Sequence, residues 1–229
     1  MYDKLLIGNP PITLHLRRSG RARRLSLRIS QLDGRVTLTL PAGLSDADAV
    51  LFAQEKEHWI RKHLADRGAD VVVQQGAEIP IAGDLHVVVP GTGRGVRTEA
   101  KQLHVPGPPD RVGARVAGHL KALANLRLAE ASTRYSAQLG RPYQTITLRD
   151  TRSRWGSCTT EGRLMYSWRL IMAPPDVLDY VAAHEVAHLA ELNHGPAFWA
   201  HVGALYGDHA PARKWLRKEG GSLHRYRFS

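Results

Sequence analysis

The run His184-Glu185-Val186-Ala187-His188 constrains this chain more than any other stretch. Histidines four apart share one face of a helix, one turn apart. Helical rise is about 1.5 Å per residue, so the two positions stand about 6 Å apart along the axis. Imidazoles leaning inward from them can meet one metal ion at about 2.0–2.1 Å each. A third histidine, His194, follows ten residues after the first. On a continuous helix it would lie about 15 Å from His184. The helix must therefore stop after His188 and the chain must turn back between Glu191 and Pro196. Asn193 and Gly195 tolerate left-handed backbone and Pro196 cannot join a helix ladder, so the turn is expected to draw on them.

These residues are the parts of a zinc hydrolase. His184, His188 and His194 are the expected metal ligands, with one zinc ion and one coordination position left open. Zinc in such a site lowers the pKa of water toward about 7. Glu185, beside the first ligand, is the expected general base and can return the proton to a leaving amine. A chance His-Glu-x-x-His in a chain of this composition is expected roughly 0.02 times, so the signal is specific. Glu191, Glu219, His201 and His209 compete with His194 for the third position. Arg154, Tyr166, His201 and Tyr206 are candidates to stabilise an oxyanion, and no spacing selects one of them. Substrate-binding residues are not identified. Cys158 is expected to be a small buried residue at a bulge.

Charge widens the range of partners. The formal net charge is +11, from 32 Lys and Arg against 21 Asp and Glu. That favours acidic partners. Two alternatives to a peptidase follow: a metal-dependent hydrolase of nucleotide or phosphorylated substrates, or a nucleic-acid-associated protein with a structural metal site. Three histidines with a free glutamate argue against the structural site, because structural zinc usually fills four protein positions. The arginine-dense stretch Arg17, Arg18, Arg21, Arg23, Arg24 and Arg28 is read as a solvated face, with phosphate contact as its alternative. The single cysteine excludes an intrachain disulfide, and a reducing, cytoplasmic location is expected. No secretory leader and no membrane span are expected.

Alternation of apolar and polar residues predicts strands at 12–16, 25–29 and 36–40, with Asp33-Gly34 turning the last pair. Ser45 and Asp48 form a capping-box pair for one helix running to about Ala65. Strands at 78–81 and 85–89 flank the loop 82–84, and Pro106 to Pro109 is the expected linker. A long helix over 111–139, strands at 145–148 and 164–172, and proline-opened helices from Pro175, Pro196 and Pro211 complete the pattern. The expected class is α+β, with residues 1–106 a β-rich accessory region carrying one helix and 107–229 the catalytic domain.

Several segments together carry a family resemblance. Arg154-Trp155-Gly156-Ser157-Cys158, Ser167-Trp168-Arg169-Leu170 with Pro174, the histidine motif, and Asn193-His194 leading to Phe198-Trp199 resemble the YgjP-like metallopeptidases. Arg21-Ala22-Arg23-Arg24 and Trp59-Ile60 fit as well, and the likeness spans about residues 15–220. The spacing is also similar to SprT-like zinc proteases. The resemblance implies a zincin-like catalytic unit acting on a peptide or protein substrate, with zinc on His184, His188 and His194 and catalysis by Glu185. It also implies that the strand around 164–171 is the sheet edge that receives substrate. Metzincins of this histidine spacing carry a glycine three residues past the second histidine, where this chain has Glu191.

Overall fold

The computed structural model describes residues 3–30 and 33–228. The chain forms two compact units, Met1–Ala69 and Asp70–Ser229, and is mixed α+β with several small sheets.

In the first unit, strands β1 (Asp3–Ile7), β2 (Ile12–Ser19), β3 (Ser26–Ile29) and β4 (Val36–Pro41) form one sheet in the order β1-β2-β4-β3. β2 and β4 run parallel, and the two outer pairings are antiparallel. Alternation assigns one face to the core: Ile12, Leu14, Leu16, Val36, Leu38 and Leu40 are buried against Ala49, Ala53 and Ile60. Those last three lie on α1 (Asp46–Glu55) and α2 (Glu57–Arg67). Ser45 caps α1 as its spacing implies, exchanging hydrogen bonds with Asp48. The single helix expected here is two, because Lys56 leaves helical geometry (φ −97°, ψ 6°) and serves both ends. The Asp33-Gly34 turn forms, with Gly34 at φ 68°.

The second unit opens with β5 (Val71–Val72), β6 (Glu78–Ile81), β7 (Asp84–Pro90), β8 (Arg97–Glu99) and β9 (Gln102–Val105). The last four make a sheet in the order β6-β7-β9-β8. α3 (Val112–Leu139) follows, then β10 (Thr145–Arg149), β11 (Gly156–Cys158) and β12 (Arg163–Ser167). Helices α4 (Pro175–Ala187), α5 (Pro196–Tyr206) and α6 (Ala210–Lys218) come next, and β13 (Tyr226–Arg227) pairs in parallel with β5.

The division falls at 69/70, not at the expected linker 106–109. Ile79, Val88, Leu103 and Val105 of the β6–β9 sheet are buried in one cluster with Val116 and Leu120 of α3 and Val181 of α4. A proline-glycine stretch marks a turn, and here it is a turn inside one core. The strand expected over 164–172 is also shorter. Trp168–Met172 is a 3₁₀ segment whose five residues are all buried, so no face is left for strand alternation.

Arg169, within that segment, ties the end of the chain down. Its guanidinium donates to both oxygens of Asp150 at 2.6 and 3.1 Å and to the carbonyls of Leu223 and Tyr226 at 2.8 and 3.2 Å. Burial penalises the Asp150 charge, but the Arg169 hydrogen bonds and charge outweigh it and hold that carboxyl low. Nearby His224 is buried, and burial first, then the Arg169 charge, pushes its imidazole down to about 4. No helix among the described residues is long and apolar enough to cross a membrane.

The sign of the His224 shift sets a pH dependence. Its folded value lies below its unfolded value of about 6.5, so the unfolded chain holds the extra proton between them. Stability is therefore lost as pH falls from about 6.5 toward 4, by at most about 1.4 kcal/mol per pH unit. Urea unfolding should show His224→Asn losing less stability than wild type across that window. Parallel pH profiles of the two proteins would contradict the assignment.

Candidate metal centre

α4 begins where Pro174 and Pro175 can sit at a helix start without losing a needed N–H. Nine of its thirteen residues are buried, so its rotation about its axis is set by packing on nearly every side. That packing fixes the directions of His184, Glu185 and His188. The helix stops at His188, and the chain returns through 189–195 to α5. The ligand atoms of His184, His188 and His194 lie within 4.8 Å of one another. The Nε2 atoms of His184 and His194 are 3.1 Å apart.

The return differs from the expectation in one respect. Gly195 sits at φ −78°, and Asn193 is not among the residues of positive φ, so the turn uses no left-handed residue. A 3₁₀-like continuation does the work, with Leu189 N–H donating to Val186 O at 2.9 Å and Ala190 N–H to Ala187 O at 3.0 Å. That brings the Glu191 carbonyl under His188, whose Nδ1–H donates to it at 2.9 Å. The bond fixes the tautomer and leaves Nε2 of His188 with its lone pair free. Glu191 thus meets this turn through its backbone, and a glycine is not required there.

Aromatic packing holds the third histidine. Trp199 Nε1–H donates to the His194 carbonyl at 3.1 Å. Phe198, fully buried, stands 4.9, 4.5 and 4.7 Å from the rings of His184, His188 and His194 and forms a common floor. Burial, then the neighbouring His188 and His194, push His184 down to about 3, so its imidazole is neutral. Its Nδ1 is buried with no hydrogen-bond partner among the described residues.

Glu185 is buried and faces β11. A Cβ on Gly156 would lie 2.5 Å from Glu185 Oε1, far inside contact distance. Gly156 is not among the positive-φ glycines, so close approach, not backbone strain, is what requires it. Burial pushes the Glu185 carboxyl up to about 8, opposed by the charge of Arg154. Cys158 lines the same recess, and burial plus the Glu185 charge push its thiol up to about 11. It is a neutral thiol, half-buried in strand β11 and not buried at a bulge as expected.

The other candidates separate. Tyr166 is fully buried and shares a 3.0 Å hydrogen bond with Ser132 Oγ, so its phenol is not available to a substrate. Tyr206 Oη–H donates to the Asp176 carbonyl at 2.9 Å. Glu219 ends α6 and pairs with Lys218 at 3.1 Å. His201 is half-buried on α5. His209, a competitor for the third ligand position, instead stacks on Tyr180 and Trp199, at ring separations of 5.9 and 5.0 Å.

The three-stranded sheet beside the motif has the order β10-β12-β11. β12, expected as the edge, is the central strand, parallel to β10 and antiparallel to β11. The edge that lines the recess with the histidines is β11, through Gly156, Ser157 and Cys158. Three residues are too few to show alternation, so no periodicity could mark β11. The one signal was Gly156 itself, in a serine-flanked stretch that reads as a turn or bulge.

Fold and site together define the class: an α+β protein with a candidate metal-dependent hydrolytic centre. A family model for the YgjP-like metallopeptidase domain matches residues 23–219, and the chain belongs to that family. Among solved structures, the metallopeptidase zymogen of Pyrococcus abyssi abylysin is similar at 16% identity over 41% of this chain and 95% of that one, with a TM-score of 0.36. Comparison with curated proteins gives no match.

Two substitutions probe the packing. Phe198→Ala removes the floor of the cluster and should cost about 3–5 kcal/mol in urea unfolding. Gly156→Ala forces Glu185 or β11 to move and should cost about 1–3 kcal/mol. An unchanged unfolding midpoint for Gly156→Ala would mean that the approach of β11 to Glu185 is looser than 2.5 Å implies.

Proposed function

We propose that this chain is a zinc peptidase of zincin type, cutting peptide bonds with His184, His188 and His194 as zinc ligands and Glu185 as general base. The observation that carries the reading is the convergence of three imidazoles beside a buried carboxylate, with His188 oriented by the Glu191 carbonyl. The donor set fits zinc. Ligands at about 2.0–2.1 Å in a tetrahedron stand about 3.4 Å apart, against 3.1 Å between His184 Nε2 and His194 Nε2. Bound there, zinc would supply a Lewis-acid charge that acidifies water and polarises a carbonyl.

The remaining work falls to the chain. Glu185 accepts a proton from the attacking water at its carboxylate and passes it to the departing amine. Its buried setting raises its proton affinity, which suits a group that must both take and give. β11 offers an open edge onto which an extended peptide can add as a further strand, next to the histidines. Arg154, whose charge is felt at Glu185, is the candidate we favour to face a developing oxyanion. The zincin reading of the fold rests on the motif helix packed against this small sheet, with the sheet edge alongside.

Purified protein should hold one zinc per chain and cleave casein or unstructured peptides, and a chelator should abolish cleavage until zinc is restored. Glu185→Gln should keep its zinc and lose about 10²–10⁴-fold in turnover. Full activity in that variant would remove Glu185 from the mechanism. His194→Ala should lose zinc. Glu191→Ala should change zinc affinity less than about threefold, because the carbonyl and not the carboxylate holds His188. A tenfold or greater loss would show that the Glu191 side chain contributes.

A further inference from the structure

The outer face of the first unit's sheet carries a charge pattern that the peptidase reading does not use. Strand register sorts its side chains into three rows. One row runs Lys4, His15, Thr37 and Arg28 across β1, β2, β4 and β3. The next holds Arg17, Thr39 and Ser26. On the other side come Leu6 and Thr13, with Arg35 just before β4. Rows two residues apart stand about 7 Å apart, and four strands span about 14 Å. Lys4, Thr13, Arg17, Ser26 and Arg28 are exposed, and so are Arg21, Arg23 and Arg24 in the connection from β2 to β3.

Acidic groups are sorted the other way. Asp46, Asp48, Glu55 and Glu57 lie on α1 and α2, which cover the opposite face. Arg18, one residue out of phase with Arg17, points that way and pairs with Asp46. Near the outer face, Asp33 is already ion-paired with Arg35 at 3.9 Å. Burial, then the charges of Arg35 and Lys4, lower the His15 pKa, in accord with a positive field there.

We propose that this face binds the sugar-phosphate backbone of duplex nucleic acid, independently of sequence. Charge complementarity and composition select that partner. Duplex DNA presents one negative charge per about 1.7 Å of its axis, an array that a flat sheet of arginines and hydroxyls can meet at several points. Protein interfaces and membrane-surface helices rely on aromatic or apolar anchors. Here Leu6 is the one large apolar side chain in the three rows. His15 is the only ring there, so no stacking platform for single strands is present.

The test is fluorescence anisotropy with a labelled 20-base-pair DNA of arbitrary sequence, titrated across about 50–200 mM salt. Wild type should bind with an affinity that falls steeply with salt. Arg17→Ala with Arg28→Ala should flatten the log–log slope by about 1.8, the value for two lost phosphate contacts. Lys62→Ala with Lys214→Ala makes the same charge change at exposed positions off this face, and should leave the slope within about 0.5 of wild type. Glu185→Gln should bind DNA as wild type does, so failure of the peptidase reading and failure of this one are separable. Equal weakening in both double variants, no salt-dependent binding, or binding to anionic vesicles without binding to DNA would each overturn the proposal.

Discussion

The close packing of α4 is the constraint on which the site depends. A helix buried on so much of its surface cannot rotate to suit a ligand. Its histidines are aimed by Val177, Val181, Val186 and the alanines around them, which are buried to 3% exposure or less. Stability and function are coupled through that helix. Residues that never meet substrate, such as Val181, hold the position of those expected to.

His194 reaches the cluster by a different means. It is exposed, and its place depends on three local contacts: the 3₁₀ continuation past His188, the hydrogen bond from Trp199, and the floor made by Phe198. None of these asks for unusual backbone. The turn leaves no buried strain at the point where the third histidine must be placed. The same continuation orients His188, so one short segment serves both residues. The absence of a left-handed glycine at position 191 is therefore a different solution to the same geometric problem.

How much was legible in the sequence followed from the length of each signal. α4 and α5 begin at the prolines that mark them, and Ser45 caps α1 through Asp48. Those are local devices with local causes. The break at Lys56 was not legible, because nothing in 45–65 departs from helical composition and the kink is a matter of packing. The edge position of β11 was hidden because sheet order is a long-range property and three residues carry no period. The linker at 106–109 misled because proline and glycine report a turn, whereas a division between units reports which cores touch. At the site, spacing was enough to anticipate that the three histidines converge, with Glu185 lining the same recess. It could not reveal Gly156 or Phe198, whose roles come from what they face.

One electrostatic consequence ties the recess together. Burial acts in the same direction on four of its ionisable groups: it lowers His184 and His188, raises Glu185 and raises Cys158. Each is pushed toward its uncharged form. The recess thus disfavours charge of either sign on its own side chains. Neutral imidazoles offer lone pairs, whereas a protonated thiol offers none of the strength of a thiolate. Cys158 therefore sits beside the cluster without competing for its role. A carboxyl of raised proton affinity beside the neutral imidazole of His184 is also the asymmetry that acid–base chemistry at neutral pH requires. Desolvation sets both halves of it, and the same apolar packing that fixes α4 supplies the desolvation.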